Sequence, residues 1–391
     1  MPAPRGNPVR RVLIVAMADS IHTARWLEQL QNEALEIELF PSTPHRRVHE
    51  LIKNACSPSG TMQLRISPTM SWAALPLGLV DLLCRGSLRA MLLRRRLRTF
   101  DPEIVHALEC QHAGYLTDKA LRRNMSDRSF QIILSLWGSD LFWYQQFRRH
   151  RRALMRLLSR VSLLVVECSR DIEIAERLGY RGAAPVLVPA SGGVWQWNLK
   201  KREPRHEWSR RRTVAVKGYG GRIGKGPSAI RVLGSLASTL QGFTVEVFAA
   251  SASTRFVAWR VRRATGLSIV THRKHSLRQD EMNQLWERTR IFFANSRSDG
   301  IPASAKEAFL AGAVVVHSNT SCLKEHVEES GLLEFAPSDL DSARRLLSTL
   351  LINDSECYRR AFRGGQQFVE RFEWTSVARV ARSIYRPGML T

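Results

Sequence analysis

The chain has 391 residues, of which 44% are hydrophobic, a length and composition that allow two folded domains with sizeable cores. Its 59 lysines and arginines exceed its 35 aspartates and glutamates, which gives a formal net charge of +24 at pH 7. This excess predicts a polyanionic partner and leaves open nucleic acid, an anionic membrane surface or a phosphorylated substrate. No segment has the roughly 20 uninterrupted apolar residues of a membrane-spanning helix, so none is predicted.

The cysteines and the first apolar run favour a cytoplasmic setting. The six cysteines lie far apart with no paired spacing, which predicts neither a zinc site nor a disulfide framework and fits a reducing cytoplasm. The apolar run 12–18 is short and ends at Asp19, so it predicts a buried strand rather than the apolar region of a signal peptide.

The first half of the chain alternates apolar runs with helical patterns. Residues 12–18 predict a strand, and residues 23–30 predict a helix after a short loop. Further strands are predicted at Leu35–Phe40, Glu103–Ala107, Gln131–Leu136, Leu163–Glu167 and Val186–Val188. This alternation is typical of a parallel sheet with crossover helices, so a first α/β domain is expected over residues 1–196.

A second series of the same kind follows the charged, irregular stretch 197–212, which predicts a linker. Its strands are predicted at Thr213–Val216, Thr244–Phe248, Ser268–Thr271, Ile291–Ala294 and Val314–Val316. The second α/β domain is therefore expected over residues 213–371. Residues 372–391 are expected to hold a final helix, from Thr375 to Tyr385.

The stretch from Asp299 to Gly312 has the most informative local pattern. Pro302 can occupy the first turn of a helix and Gly312 can end it, so the stretch predicts a loop, a short helix and a strand. At about 100° per residue, one helix face holds Ala303, Ser304, Glu307, Ala308 and Ala311, whereas Ala305, Phe309 and Leu310 point to the core. A carboxylate among small side chains suits a hydroxyl-rich ligand, and free N–H groups at the helix start suit phosphate. A capped helix with a solvated glutamate explains the local pattern equally well.

A glycine-rich loop with three cations follows the first strand of the second series. It contains Lys217, Gly218, Gly220, Gly221, Arg222, Gly224, Lys225 and Gly226. Glycines allow close approach of the backbone to a diphosphate, and the cations can neutralise the charge that grows on a leaving group. Arg222 and Lys225 are the predicted phosphate ligands, with Lys217 as substitute for one of them. A flexible basic turn is the alternative.

Polar residues after strands of the first series are candidates for a second binding site, because ligands bind at the carboxyl ends of strands in open α/β sheets. These residues are His22, Thr23, His106, Glu109, Asp140 and Ser191. A structural role stays open for each of them. A histidine near a strand is often part of a core, and the Ser191-Gly192-Gly193 segment can form a tight turn.

Together, these motifs resemble those of retaining family 4 glycosyltransferases, which have the GT-B fold. The landmarks occur in order: Ser20-Ile21-His22-Thr23 with Arg25-Trp26, Trp137-Gly138-Ser139-Asp140, Pro189-Ala190-Ser191-Gly192-Gly193, and the acids Asp299 and Glu307, separated by seven residues. The family usually has glutamate at the position of Asp299. It also usually places an arginine and a lysine five residues apart, whereas Arg222 and Lys225 are closer.

The resemblance implies two Rossmann-like α/β domains that face a central cleft, with a C-terminal helix that crosses back to the first domain. It implies a nucleotide-sugar donor held by Lys217, Gly221, His272, Ala303, Ser304 and Glu307. Glu307 would hold the ribose hydroxyls, Asp299 the hydroxyls of the transferred sugar, and Arg222 with Lys225 the leaving diphosphate. No metal or other cofactor is expected, since Asp339 precedes a helical pattern and predicts a cap rather than a metal ligand.

Two basic stretches, residues 85–98 and 148–160, contain six arginines each among apolar residues in a helical pattern. A solvated face explains either stretch alone, but together they favour a peripheral enzyme on an anionic membrane surface. The expected function is transfer of a hexosyl group to a glycan or lipid-linked acceptor in cell-envelope polysaccharide synthesis. Three alternatives remain open: a sugar-nucleotide epimerase on the same fold, a basic nucleic-acid-binding protein, and a scaffold without turnover.

Overall fold

The computed structural model describes residues 10–44, 47–56, 62–67, 74–84, 86–122, 129–190, 192–194, 205–274 and 276–386. The chain divides into two compact units. The first unit comprises residues 1–193 with 375–391, and the second comprises residues 194–374. The expected domain limits at 196 and 371 lie close to these boundaries.

The first unit is built on a parallel seven-stranded sheet with the order β3-β2-β1-β4-β5-β6-β7. Its strands are β1 Arg10–Ala16, β2 Leu35–Pro41, β3 Gln63–Ile66, β4 Ile104–Leu108, β5 Gln131–Ser135, β6 Leu163–Val166 and β7 Val186–Leu187. The central strands are apolar on both faces because helices cover both, and residues 12–16 of β1 are fully buried. The sequence missed β3, since this edge strand has polar residues at two of its four positions and no continuous apolar run.

Helices connect these strands as crossovers. They are α1 Ile21–Glu28, α2 Glu50–Ala55, α3 Ala74–Leu83, α4 Ser87–Phe100, α5 Tyr115–Leu121, α6 Arg148–Leu158 and α7 Ser169–Arg177. Helix α1 begins two residues before the predicted start, because Ser20 Oγ accepts a hydrogen bond from the His22 backbone N–H at 3.2 Å and caps it. Among the described residues, no helix has the length and apolar character needed to cross a bilayer.

The second unit has a parallel six-stranded sheet with the order β10-β9-β8-β11-β12-β13. Its strands are β8 Thr213–Lys217, β9 Thr244–Phe248, β10 Ser268–Thr271, β11 Thr289–Ala294, β12 Val314–Ser318 and β13 Leu332–Phe335. Its helices are α8 Arg205–Trp208, α9 Gly226–Gly234, α10 Ala252–Thr265, α11 Gln279–Arg288, α12 Ala303–Leu310, α13 Leu340–Ile352 and α14 Asp354–Arg371. The predicted strands are confirmed, whereas the short edge strand β13 was not predicted.

The last helix, α15 (Trp374–Ser383), belongs to the first unit, which confirms the predicted return of the chain. Arg382 Nε donates to the Gln29 carbonyl at 2.7 Å. Beyond the helix, Tyr385 is 2% exposed, and its hydroxyl accepts from Trp26 Nε1 at 2.8 Å. That hydroxyl can then donate to His106 Nδ1 at 2.6 Å, which leaves His106 Nε2–H to donate to Ser135 Oγ at 2.8 Å.

Replacing Tyr385 by phenylalanine is expected to lower the free energy of unfolding by about 2 kcal/mol, because it leaves the Trp26 indole N–H and a ring nitrogen of His106 buried without a partner. Urea denaturation followed by circular dichroism measures the loss. Tyr219→Phe is the control, since Tyr219 is 43% exposed. Equal stability of the two variants would contradict the role given to the Tyr385 hydroxyl.

Candidate functional site

Two loops of the second unit lie side by side at the carboxyl edge of its sheet. Strands β8 and β11 are parallel neighbours, so the loops after them, residues 218–225 and 295–302, leave the sheet at the same edge. The Lys225 N–H donates to the Asn295 carbonyl at 3.0 Å, and the Arg297 N–H donates to the Ile223 carbonyl at 2.9 Å. The fold therefore fixes the glycine-rich loop against the segment that carries Asp299.

The glycines let the first loop fold tightly upon itself. A Cβ atom on Gly224 would lie 2.5 Å from the Tyr219 carbonyl oxygen, and one on Gly226 would lie 2.9 Å from that of Gly218. Gly221 differs: its φ is +88°, and a Cβ atom there would meet nothing within 4 Å. Two needs thus explain the glycines, namely close packing at the base of the loop and a left-handed conformation at its exposed tip.

Three cationic residues lie on this pair of loops. Arg222 and Arg297 are exposed and Lys225 is partly exposed, and Arg297 Nη1 donates to the Arg222 carbonyl at 3.4 Å. Partial burial, followed by the charge of Arg297, lowers the pKa of Lys225. Arg297 was not predicted as a site residue from the sequence. Its position, two residues before Asp299 and just after a strand, was the available signal.

Lys217 and Asp299 form a largely buried ion pair. Lys217 Nζ lies 2.6 Å from Asp299 Oδ2, and the two side chains are 14% and 20% exposed. His317 Nε2 lies 3.8 Å from the same oxygen. Burial raises the pKa of Asp299, but the Lys217 ammonium and the His317 ring outweigh it, so the pKa lies below its usual value. Lys217 is thus the counter-ion of Asp299. The sequence predicted Lys217 as a possible phosphate ligand and did not predict this ion pair.

Helix α12 follows the predicted pattern of loop, helix and strand. It starts after Pro302, and Gly312, with φ at +71°, lies just beyond its end. Ala305 and Phe309 are fully buried as expected, but so is Ala308, and Leu310 is partly exposed instead of buried. The buried stripe is therefore rotated by about one residue relative to the prediction.

Glu307 is held on the partly exposed side of α12 by a tryptophan. Trp286 on α11 is 2% exposed, and its Nε1–H donates to Glu307 Oε2 at 2.9 Å. Ala303 and Ser304 are also partly exposed, and Ser304 Oγ is shielded from solvent with no hydrogen-bond partner among the described residues. The sequence gave no signal for Trp286, because its contact with Glu307 depends on the packing of two helices.

His272, one of the predicted donor-binding residues, has side-chain partners within the second unit. Its Nε2 lies 3.2 Å from Glu246 Oε2, and Glu246 also accepts from Arg288 Nε at 2.7 Å. The backbone N–H of His272 donates to the Val247 carbonyl at 2.8 Å. The side chain of His272, one residue after β10, is thus held against β9, and its contact with the donor stays a prediction.

The acidic pair near residue 340 is explained by a helix start. Asp339 Oδ1 accepts from the Ser342 N–H at 2.9 Å and caps α13, which confirms the predicted cap. Asp341 pairs with Arg344 at 3.1 Å.

In the first unit, the predicted second-site role of His106 and Thr23 is wrong. Both side chains are 0% exposed. The two ring nitrogens of His106 are occupied by Tyr385 and Ser135, and burial lowers its pKa to about 3. His106 is thus a neutral core histidine.

Glu109 and Asp140 are also misassigned, because both are 5% exposed and shape loops. The Glu109 carboxylate accepts the backbone N–H groups of Gln111, His112 and Ala113, at 3.0, 2.5 and 2.7 Å, at the start of a π-helical turn. Asp140 Oδ2 accepts the N–H groups of Trp137 at 2.8 Å and Cys110 at 3.0 Å. Burial raises the pKa of both carboxyls. The φ of +76° at Glu109 is strained for a non-glycine residue, and its three capping bonds offset that strain.

Among the described residues predicted for a second binding site in the first unit, His22 has a partly exposed side chain. His22 packs against Trp137 with a ring-centroid distance of 5.0 Å, and both rings are half-buried. Asp140 fixes the backbone of Trp137 and thereby the position of its ring. Ser191 lies outside the described residues.

Replacing Asp140 by asparagine is expected to leave stability at pH 7 unchanged or raised, whereas Asp140→Ala is expected to cost about 2 kcal/mol. The asparagine Oδ1 can accept both backbone N–H groups, and the change removes a buried charge near Glu109. Because the pKa is raised in the folded protein, the wild type loses stability as pH rises above the unfolded value near 3.8.

Urea denaturation from pH 4 to pH 8 checks this expectation. Asp140→Asn should show a smaller loss of stability over that range than the wild type. If asparagine costs as much as alanine at pH 7, the capping role assigned to Asp140 is wrong.

The two units are similar to parts of known proteins. Residues 11–167 match the model of the family described as glycosyl transferase 4-like. HepE of Anabaena, in complex with UDP and glucose, superposes with a TM-score of 0.68 at 12% identity, covering 96% of this chain and 99% of that one. Sucrose-phosphate synthase from Thermosynechococcus elongatus gives a TM-score of 0.67 at 12% identity, with coverage of 96% and 98%.

A third solved structure, described as trehalose-6-phosphate from E. coli bound with UDP-2-fluoro glucose, gives a TM-score of 0.69 at 12% identity, with coverage of 96% and 98%. No curated protein matches the sequence. At such low identity the superpositions establish the fold, and the family match concerns the first unit. The chain therefore has the GT-B fold, and its residues 11–167 are similar to the glycosyl transferase 4-like family.

Proposed function

We propose that this protein transfers a sugar from a nucleotide-sugar donor, held by the second unit, to a glycan or lipid-linked acceptor. The observation that carries the proposal is the pairing of the loops after β8 and β11, which brings three cations and the Lys217–Asp299 pair to one sheet edge. Cations beside a fixed carboxylate suit a ligand that joins a diphosphate to a polyhydroxylated ring.

Glu307 is the proposed ligand of the ribose hydroxyls. The Trp286 indole occupies one of its oxygens and fixes the rotamer, and the carboxylate can still accept from two neighbouring hydroxyls. The small residues Ala303 and Ser304 on the same side of α12 leave room for the nucleotide. The shielded hydroxyl of Ser304 is a further group that a ligand would satisfy.

Arg222, Lys225 and Arg297, with the first N–H groups of α12, are proposed to bind the diphosphate. As the bond between the anomeric carbon and the diphosphate oxygen breaks, negative charge grows on that oxygen, and these groups stabilise it. The acceptor oxygen forms the new bond to the anomeric carbon, and its proton passes to the departing phosphate. This course retains the anomeric configuration without a covalent enzyme intermediate, and it assigns no step to a metal ion.

Asp299, fixed by Lys217, is the proposed contact for hydroxyls of the transferred sugar, which we expect to be a hexose. For the acceptor, the half-buried pair His22 and Trp137 offers an aromatic surface in the first unit. The basic character of this unit favours a lipid-linked or anionic glycan of the cell envelope, with the enzyme acting from the cytoplasm at the inner face of the membrane.

Thermal unfolding with a panel of nucleoside diphosphates and their sugar nucleotides tests the donor site. One nucleotide class is expected to raise the Tm of the wild type, since a ligand at about 100 times its Kd stabilises the fold by about 2.7 kcal/mol. Glu307→Ala should lose that shift, because each lost hydrogen bond to a charged group weakens binding by about 1.5–3 kcal/mol.

Glu370→Ala is the matched control, since Glu370 is an exposed glutamate on α14 of the same unit. A nucleotide shift that survives in Glu307→Ala would refute the role given to Glu307. No response to any nucleotide, together with a salt-dependent gel shift of DNA or RNA, would replace the proposal with nucleic-acid binding. Donor turnover without a glycan product would favour the epimerase alternative.

A further inference from the structure

The C-terminal half of helix α3, residues 78–83, is apolar and yet largely exposed. Leu79, Leu82 and Leu83 are 61%, 74% and 82% exposed, and Val80 is 46% exposed. These four side chains lie within five consecutive residues, and water normally disfavours so dense an apolar surface. The helix has ten residues, which is too short to cross a bilayer, and the exposure of its C-terminal half distinguishes it from a core helix. A helix of this length and exposure suits the interface of a membrane.

The one acidic residue of α3 is turned inward and neutralised. Asp81 is 3% exposed, and its carboxylate lies 2.9 Å from Arg89 Nη2. It also accepts the Arg89 backbone N–H at 2.9 Å, and Arg89 Nη1 donates to the Ser42 carbonyl at 2.7 Å. The acid therefore fixes α3 to the start of α4 while the leucines remain outside.

Cations extend from this apolar face along the same unit. Helix α4 presents Met91, which is 54% exposed, followed by the exposed Arg95 and Arg98. Arg94 Nε donates to the Ala120 carbonyl of α5 at 2.9 Å, and Arg160, two residues after α6, lies 3.5 Å from Asp118 of α5. These bonds join α4, α5 and α6, and α6 adds an open pocket lined by Arg148, Arg149, Arg152 and Arg156.

We propose that α3 inserts its leucines into the apolar boundary of an anionic bilayer, while Arg95, Arg98 and the α6 arginines contact lipid phosphates. Charge complementarity favours an anionic bilayer over a second copy of this chain, because a second copy docked on this face would bring like-charged arginines together. The leucines supply apolar burial, and the cations add electrostatic attraction to the anionic surface. The inference specifies the membrane partner of the proposed function but does not require transferase activity.

Co-sedimentation with vesicles of phosphatidylglycerol and phosphatidylcholine, compared with phosphatidylcholine alone, tests the inference. The wild type should bind the anionic vesicles, and binding should fall as salt is raised. The variant Leu79→Gln/Leu82→Gln/Leu83→Gln should bind at least tenfold more weakly with an unchanged Tm, since these side chains are already exposed in the folded protein.

The matched control is Phe256→Gln/Trp259→Gln/Ile352→Gln, which removes three apolar side chains of the second unit that are 58%, 49% and 75% exposed. It should keep vesicle binding. Arg95→Gln/Arg98→Gln should weaken binding to anionic vesicles and reduce its salt dependence. Equal binding by the wild type and the leucine variant would overturn the inference, as would a lipid-free dimer that only the leucine variant loses. Vesicle binding does not depend on nucleotide binding. A failure of the proposed donor site would therefore be detected separately, by thermal unfolding with nucleotides.

Discussion

Lys217→Met is expected to lower the free energy of unfolding of the second unit by about 3 kcal/mol. The lysine ammonium lies 2.6 Å from Asp299, and methionine would leave a carboxylate that is only 20% exposed without its main counter-ion. His317 Nε2 also lies 3.8 Å from that oxygen. Burial lowers the pKa of His317 against the raising effect of Asp299, and a neutral histidine cannot replace the charge of the lysine.

The double variant Lys217→Met/Asp299→Asn should recover most of that loss, because it removes both charges together. The pH dependence gives a second readout. The pKa of Asp299 is lowered in the folded protein, so the pair stabilises the wild type above the unfolded value near 3.8 and loses this effect as pH falls through the folded value. Urea denaturation between pH 2 and pH 7 should show this acid-dependent loss in the wild type and a weaker one in Lys217→Met. Additive effects of the two single changes would show that the pair is not coupled.

The sequence predicted most of the fold because its signals are local. A parallel strand covered on both faces needs a continuous apolar run, as in residues 12–16, and such a run is visible without any knowledge of the partners. The edge strands β3 and β13 were not predicted, because polar residues interrupt their apolar runs. Each of these strands has a neighbouring strand on one side only, so polar residues are tolerated there. The elements that determine the architecture were therefore the ones that the sequence specifies best.

The site was predicted only as far as local spacing reaches. The order of Asp299, Pro302 and Glu307 fixes a loop and a short helix, and this part is confirmed. The partners of these acids come from elsewhere in the chain: Trp286 lies on α11, and Lys217 lies 82 residues before Asp299. Contacts between distant segments depend on which strands are neighbours, which a single sequence does not state.

The errors at Glu109 and Asp140 in the first unit have a common physical cause. A turn that leaves a buried sheet edge carries backbone N–H groups that need acceptors, and a carboxylate is a strong one. Glu109 and Asp140 serve this need, so a polar residue after a strand supports the loop as readily as it contacts a ligand. The motif around Trp137 and Asp140 thus indicates a fixed loop, whose partly exposed groups, such as His22 and Trp137, are the better candidates for binding.

Gly364→Val is expected to cost about 3 kcal/mol or more and also to weaken donor binding, although Gly364 lies on α14, outside the proposed site. A Cβ atom at this position would lie 2.7 Å from the Gly331 carbonyl oxygen and 2.8 Å from Phe309 Cε1. The Gly331 oxygen belongs to the backbone, so the strain falls on Phe309, which stacks on Phe368 with a centroid distance of 5.2 Å. Phe309 is fully buried on α12, two residues from Glu307, and its displacement shifts the helix that carries this carboxylate.

Arg363→Val is the matched control, because it places the same β-branched residue at an exposed neighbouring position of α14 and should cost less than 1 kcal/mol. Urea denaturation gives the two stabilities, and the nucleotide-dependent rise in Tm gives binding by the folded fraction. A combined loss in Gly364→Val alone would show that the close approach of Gly364 to Phe309 sets the position of α12. If the variant loses stability but binds nucleotide as the wild type does, α12 is positioned by β11 and β12 instead, and the tight packing at Gly364 fixes only the position of α14.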